Sequence, residues 1–213
     1  MSLQPAYRGL FWFFSLGIAL FSFTVVVLAT TLGFAEVAPH LVHYLSVHNV
    51  PLYAHILFGP LALLLMPFQF WAGLRNRYRT VHRLLGYAYV VSIAVASLGA
   101  MLLLPGFQGS AWAAAGFALL ATLWIGTTAR ALFLARAGRT GEHRAWMMRS
   151  AALTFAAVVL RLMMLPLMAA GMSFNGTYDI TAWASWLLPL AFVEWRLRRG
   201  SGTRLSRASI VQG

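Results

Sequence analysis

The chain has 213 residues, 61% of them hydrophobic and 9% charged, with a mean hydropathy of +0.75. A soluble domain of ordinary composition carries about a quarter of its residues as charges, so water is excluded as the solvent for most of this surface and a bilayer takes its place. The net charge of +12 comes from sixteen arginines, with no lysine, against four acids. On a soluble protein this would suggest nucleic acid; here the arginines cluster between apolar runs, which assigns them to topology and to anionic lipid headgroups, and no nucleic-acid partner is expected. With no cysteine in the chain, disulfides, thiolate chemistry and iron–sulfur clusters are excluded.

The apolar runs are continuous rather than alternating, which favours an all-α, polytopic bundle over a barrel. Six stretches reach the about 20 residues needed to cross the hydrocarbon core, at roughly 10–32, 52–74, 83–104, 111–135, 147–170 and 180–197. The first, from Leu10 to Leu32, exceeds the roughly 7–15 residues of a signal-peptide core and is read as a retained span. Pro51, Pro105-Gly106, Gly138, Gly141 and Asn175-Gly176 punctuate the gaps. Pro60 and Pro67 in the second span predict a kink that frees carbonyls. Residues 200–213, rich in Ser, Gly and Arg, read as a disordered cytoplasmic tail after a single domain over 1–199.

Orientation follows from the arginines. Arg8, then Arg75, Arg77, Arg79 and Arg83, then Arg136, Arg139, Arg144 and Arg149, then Arg196, Arg198, Arg199, Arg204 and Arg207 fall on one side, while the loops 33–51, 105–110 and 171–179 hold none. The positive-inside rule puts both termini in the cytoplasm.

Two near-matching blocks stand at this face: Arg79-Thr80-Val81-His82-Arg83 and Arg139-Thr140-Gly141-Glu142-His143-Arg144. The 61-residue offset between their histidines suggests a parallel pseudo-repeat of two-helix hairpins. His82 and His143, brought together, would be the axial ligands of a haem b iron, with Arg83, Arg144, Arg149 and Arg77 at the propionates. The alternative is that both histidines cap helices or reach headgroups. His55 and His82 each have glycine at i+4, Gly59 and Gly86, which leaves room for a flat ring or for close helix packing. His55 lies about 30 Å from the far end of its span, so it cannot share an ion with His82.

Arg161, in mid-span, must face the bundle or a wet cavity. Its candidate partners are Gln69, carbonyls opened near Pro60, or an anionic or quinone-like ligand in a second pocket lined with His55; the alternative is a purely structural bridge to backbone carbonyls. The outer loop carries Glu36, His40, His43 and His48, and Met164, Met168 and Met172 end the fifth span on the same side. Imidazole with thioether suits copper, and methionine also fills gaps in any bundle. Four acids in all leave a carboxylate proton relay poorly supplied.

His55-x-x-x-Gly59, His82-Arg83-x-x-Gly86-x-x-Tyr89, His143-Arg144-x-Trp146-Met147-x-Arg149-Ser150, Leu160-Arg161 and Glu194-Trp195 together resemble a large bacterial family of multi-pass membrane proteins, domain of unknown function 2306. The resemblance covers roughly residues 45–198, implies a polytopic inner-membrane protein, and singles out His55, His82, His143, Arg149 and Arg161. It leaves His40, His43 and His48 outside the pattern.

The sequence thus predicts a membrane protein linked to haem b or quinone. The alternatives are a non-enzymatic copper or small-molecule handling protein using the outer histidines, and an accessory or assembly subunit whose basic loops dock a membrane partner or a second copy.

Overall fold

The computed structural model describes residues 5–211, with side chains from 7 to 199. All regular structure among these residues is helical: α1 (Pro5–Leu32), α2 (Phe34–Val37), α3 (Val42–Leu45), α4 (Asn49–Phe70), α5 (Ala72–Arg77), α6 (Arg79–Leu103), α7 (Ala111–Arg136), α8 (Thr140–Ala169) and α9 (Phe174–Val211). Single 3-10 turns at Pro39–Leu41 and Leu104–Gly106 complete the order.

Neighbouring long helices run antiparallel. Trp12 of α1 meets Phe68 near the end of α4 at 5.0 Å between rings, and α4 pairs Gln69 with Gly86 and His55 with Gly99 of α6. Phe107 before α7 meets Phe117 in it at 5.8 Å, and Arg136 at its end lies 5.8 Å over the Tyr87 ring. α4, α6, α7 and α8 form a ring, with α1 seated on α4 and α8, and α9 on α7 and α8. One end of the bundle gathers Arg75, Arg77, Arg79, Arg83, Arg136, Arg139, Arg144 and Arg149; the opposite end holds the loop histidines and the turns around residues 104–110 and 170–173.

Turn chemistry sets these reversals. Gly138, at φ +72°, follows the last residue of α7's cap, with Arg139 N–H donating to Leu134 O at 2.9 Å and Gly138 N–H to Ala135 O at 3.2 Å. This is a Schellman closure, which needs a left-handed residue at that position. Gly171, at φ +89°, closes α8 in the same way. α6 and α8 begin earlier than the apolar runs suggest, at Arg79 and Thr140. His82 and His143 are therefore inside first helical turns, each donating its backbone N–H to the carbonyl four residues back, Tyr78 O at 3.0 Å and Arg139 O at 2.9 Å.

The ring closes on Ala62, Leu63, Met66, Tyr89, Ile93, Ala96, Leu153, Ala156 and Val158. Small residues let backbones approach, the packing mode of membrane helices. A Cβ added to Gly99 would sit 2.7 Å from Pro51 O and 2.9 Å from His55 N, and one added to Gly116 of α7 would sit 2.9 Å from Ala182 O of α9. A knot of hydroxyls ties the centre: Tyr89 Oη to Ser150 Oγ (3.0 Å) and Thr154 Oγ1 (2.7 Å), Thr128 Oγ1 to Ser150 Oγ (2.7 Å), and Trp124 Nε1–H donating to Thr154 Oγ1 (2.8 Å). Tyr89 and Ser150 are again 61 residues apart, so positions equivalent under the local repeat meet across the axis.

Among the described residues five helical segments are long and apolar enough to cross a membrane: Tyr7–Leu32, Asn49–Phe70, Arg79–Gly106, Ala111–Arg136 and Thr140–Ala169. The sixth expected span, 180–197, falls on α9, which does not meet that composition because Asp179, Glu194, three tryptophans and several Ser and Thr dilute its apolar face. α4 runs unbroken through Pro60 and Pro67. The tail expected at 200–213 lies outside the residues whose side chains are described.

Candidate functional site

The sequence-predicted residues separate into two groups at opposite ends of the bundle. At the arginine-rich end, His82 on α6 and His143 on α8 lie near enough to interact electrostatically. Their surroundings differ. His143 Nδ1–H donates to Ala131 O of α7 at 2.8 Å, which leaves Nε2 for another partner, since a carbonyl only accepts. His82 Nδ1 is buried with no hydrogen-bond partner among the described residues. Space beside the two glycines also differs: a Cβ on Gly86 would come 3.3 Å from Gln69 Oε1, whereas nothing lies within 4 Å of one on Gly59. The face one turn from His82 is thus filled by Gln69, and the face one turn from His55 is open.

The arginines expected at propionates have other geometry. Arg149 pairs with Glu194 of α9, Nε to Oε1 at 2.5 Å and Nη2 to Oε2 at 3.0 Å, and its guanidinium lies 4.8 Å from the Trp146 ring. Arg139 binds Glu142 through two oxygens at 2.6 and 2.7 Å. Arg83 and Arg144 are exposed, and Arg77 lies 5.5 Å over Tyr78.

In the other half, α4 and α8 bring His55 and Arg161 to one level. His55 is about 9 Å along α4 from its start, and Arg161 about 12 Å along α8 from its end. They are within electrostatic range of each other, and Arg161 of Tyr178 on α9. All three side chains are enclosed by neighbouring helices yet keep some accessible surface. His55 Nδ1–H donates to Ala96 O at 3.1 Å, so its Nε2 is an acceptor in the neutral ring. Arg161 Nη1 donates to Ala157 O of its own helix at 2.9 Å. Among the described residues neither ion pair involves Arg161. Of the partners expected from sequence, Gln69 lies at the arginine-rich end, and the bridge that Arg161 makes to a backbone carbonyl goes to Ala157 O rather than to one near Pro60.

Aromatic rings roof this group. Tyr178 meets Phe174 at 4.7 Å and Phe117 at 5.5 Å, and Tyr44, 6% exposed, interacts electrostatically with Tyr178. The loop histidines flank the roof and do not converge. His40 packs on Phe174 at 5.3 Å, while His43 and His48 lie 3.9 and 6.2 Å from Tyr44. Burial, and then the neighbouring His43, hold the His40 imidazole below its ordinary range; burial raises the Tyr44 phenol. Among the described residues no three of His, Asp and Glu form a set able to hold a metal ion. Met168 is 45% exposed. Sequence reasoning missed Tyr178 and Tyr44. The one available signal was a tyrosine beside Asp179 at the start of a polar-flecked apolar run.

Fold and site define a polytopic membrane bundle with a half-buried arginine within electrostatic range of a histidine and a tyrosine in one half. Residues 52–196 match the family described as predicted membrane protein (DUF2306). The match covers more than half of the chain, and the protein belongs to that family. No curated protein and no solved structure matches it.

Proposed function

We propose that the protein binds the polar head of a quinone-type molecule between His55, Arg161 and Tyr178. The observation that carries this reading is Arg161: a guanidinium placed within the span, with a hydrogen bond to its own helix and, among the described residues, no ion pair to a carboxylate. A charge at such depth costs at least ~2.5–3.5 kcal/mol on insertion scales and by default marks a ligand or ion site. The donor set suits a ligand with both hydrogen-bonding senses. Arg161 and Tyr178 can donate to a ring carbonyl, and the neutral His55 Nε2 can accept from a ring hydroxyl, as a quinone/quinol head presents. The open face at Gly59 gives the ring room.

The test uses the purified protein in mild detergent, solvent extraction with mass spectrometry for quinones, and titration with decylubiquinone and menadione by equilibrium dialysis. Arg161→Met should weaken binding about 10- to 100-fold, the worth of charge-assisted hydrogen bonds, and Arg161→Lys less. Titrations unchanged in Arg161→Met, or no binding of either quinone, would overturn the reading.

A second reading concerns His143, whose Nδ1–H on Ala131 O is the support that metal-ligating imidazoles usually have. With His82 across the axis it suits a haem b iron. A reduced-minus-oxidised visible spectrum from haem-sufficient cells should show a Soret band lost in His143→Ala; a colourless, iron-free protein would remove this reading.

The topology proposed with both readings has six spans, with α9 the sixth and both termini in the cytoplasm of a bacterial inner membrane. Asp179 of α9 accepts a hydrogen bond from Ser110 at one end of α7, and Glu194 reaches Arg149 near the other end of the bundle. Those fifteen residues climb about 22 Å, most of the hydrocarbon thickness, and the arginine-rich end is cytoplasmic by the positive-inside rule.

A further inference from the structure

Gln69 is the anomaly at the arginine-rich end. It sits in the last turn of α4, 8% exposed, with its side-chain oxygen 3.3 Å from where a Gly86 Cβ would be. Its amide nitrogen is buried with no hydrogen-bond partner among the described residues, and so is His82 Nδ1, one helical turn from Gly86 on the same face of α6. Buried polar groups are nearly always paired, so two orphans on one seam point to a shared partner from outside the chain. The amide nitrogen can only donate, so that partner must accept.

The electrostatics choose its charge. Arg75 lies within range of His82, and so does His143. The four acids are elsewhere: Glu142 is held by Arg139, Glu194 by Arg149, Asp179 sits against Ser110 at the opposite end, and Glu36 is in the opposite loop. An acceptor that enters this seam therefore meets cations and no competing carboxylate. The seam lies at the end of α4, where a membrane would place its headgroups.

We infer that the α4–α6 seam is a binding site for a phosphate-bearing anion, received by Gln69 Nε2 with His82 and Arg75 beside it. The phosphate can come from an anionic lipid headgroup or from solution. The site shares no residue with the pocket around Arg161, so the failure of either leaves the other standing; it does share His82 with the haem reading, and a Soret band lost in His82→Ala would assign that imidazole to iron and overturn the anion site.

The experiment measures binding of dihexanoyl phosphatidylglycerol, dihexanoyl phosphatidylcholine and inorganic phosphate to the purified full-length protein, by native mass spectrometry and by the thermal midpoint in detergent. Phosphatidylglycerol should bind in preference to phosphatidylcholine, and Gln69→Met should weaken it about tenfold. Without lipid, Gln69→Met should be as stable as the parent or more so, since it removes an unpaired buried amide while keeping side-chain length; a merely structural glutamine would show the reverse. Inorganic phosphate that binds and loses affinity in Gln69→Met would support the site and name solution phosphate as the source. Should Gln69→Met fail to accumulate, Arg75→Gln must weaken phosphatidylglycerol binding while Arg77→Gln, in the same short helix, must not. Equal losses in both arginine variants, or binding indifferent to Gln69→Met, would overturn the inference in favour of diffuse surface attraction.

Discussion

Gly99 and Gly59 look alike in the sequence, each a glycine in an apolar helix, and the structure gives them opposite duties. At Gly99 an added Cβ would press on Pro51 O and the His55 amide nitrogen, both backbone atoms that cannot swing aside. Gly99→Ala should therefore destabilise the bundle by about 1–3 kcal/mol, read as a lowered thermal midpoint in detergent, and should shift His55 with it. Gly59→Ala meets nothing within 4 Å and should leave the midpoint unchanged, while crowding any ring held at His55. Equal midpoints for the two variants would contradict this packing. The histidines and Arg161 were legible as polar residues out of place in apolar runs. Their partners were not, because Ala96 O, Ala131 O and Ala157 O are backbone atoms that leave no mark in the sequence.

α9 shows what hydropathy can and cannot convey about an element. Apart from Trp186, its buried stripe of Thr177, Thr181, Ala182 and Ser185 is small or hydroxylated, and it lies against α7 and α8. The small residues that allow close packing are the ones that lower its apolar average. Arg149 and Glu194 join the helix to α8 with side chains 23% and 34% exposed. Solvent screens such a pair, so a double-mutant cycle of Arg149→Ala and Glu194→Ala should give a coupling of about 0.5–1 kcal/mol. A coupling of zero would make the contact incidental. The other long helices cover the apolar runs, and α6 and α8 begin ahead of theirs. There the amphipathic first turns carry arginine and histidine at the interface, and polarity was taken for loop.

For the whole molecule, the absence of cysteine makes sidedness directly measurable. Single cysteines at Ser46 or Ser173 should react with a membrane-impermeant maleimide on intact cells, and those at Asn76, Ala137 or Ser201 only after permeabilisation. Labelling of Ser201→Cys on intact cells would remove α9 as a span. Arginine counting made the architecture readable, but not the order of helices round the ring, which depends on where small residues permit contact. The local repeat also has a geometric consequence: Tyr89 and Ser150 stand at equivalent positions on parallel helices and hydrogen-bond near the axis, and His82 and His143, the same distance apart in sequence, lie within electrostatic range of each other. Residues outside those positions diverge, and that left the repeat faint in the sequence.

The hydrogen bond from Arg161 to Ala157 O bears on how the protein is made. A nascent α8 meets lipid before α9 has been synthesised, so Tyr178 cannot yet shelter the guanidinium. By fastening to its own helix, the arginine enters the bilayer with part of its hydration already replaced, and the apolar remainder of α8 carries it in. Isolated α8 should then integrate into microsomal membranes in a glycosylation-mapping assay, and failure to do so would mean that the segment waits for its neighbours at the insertion machinery.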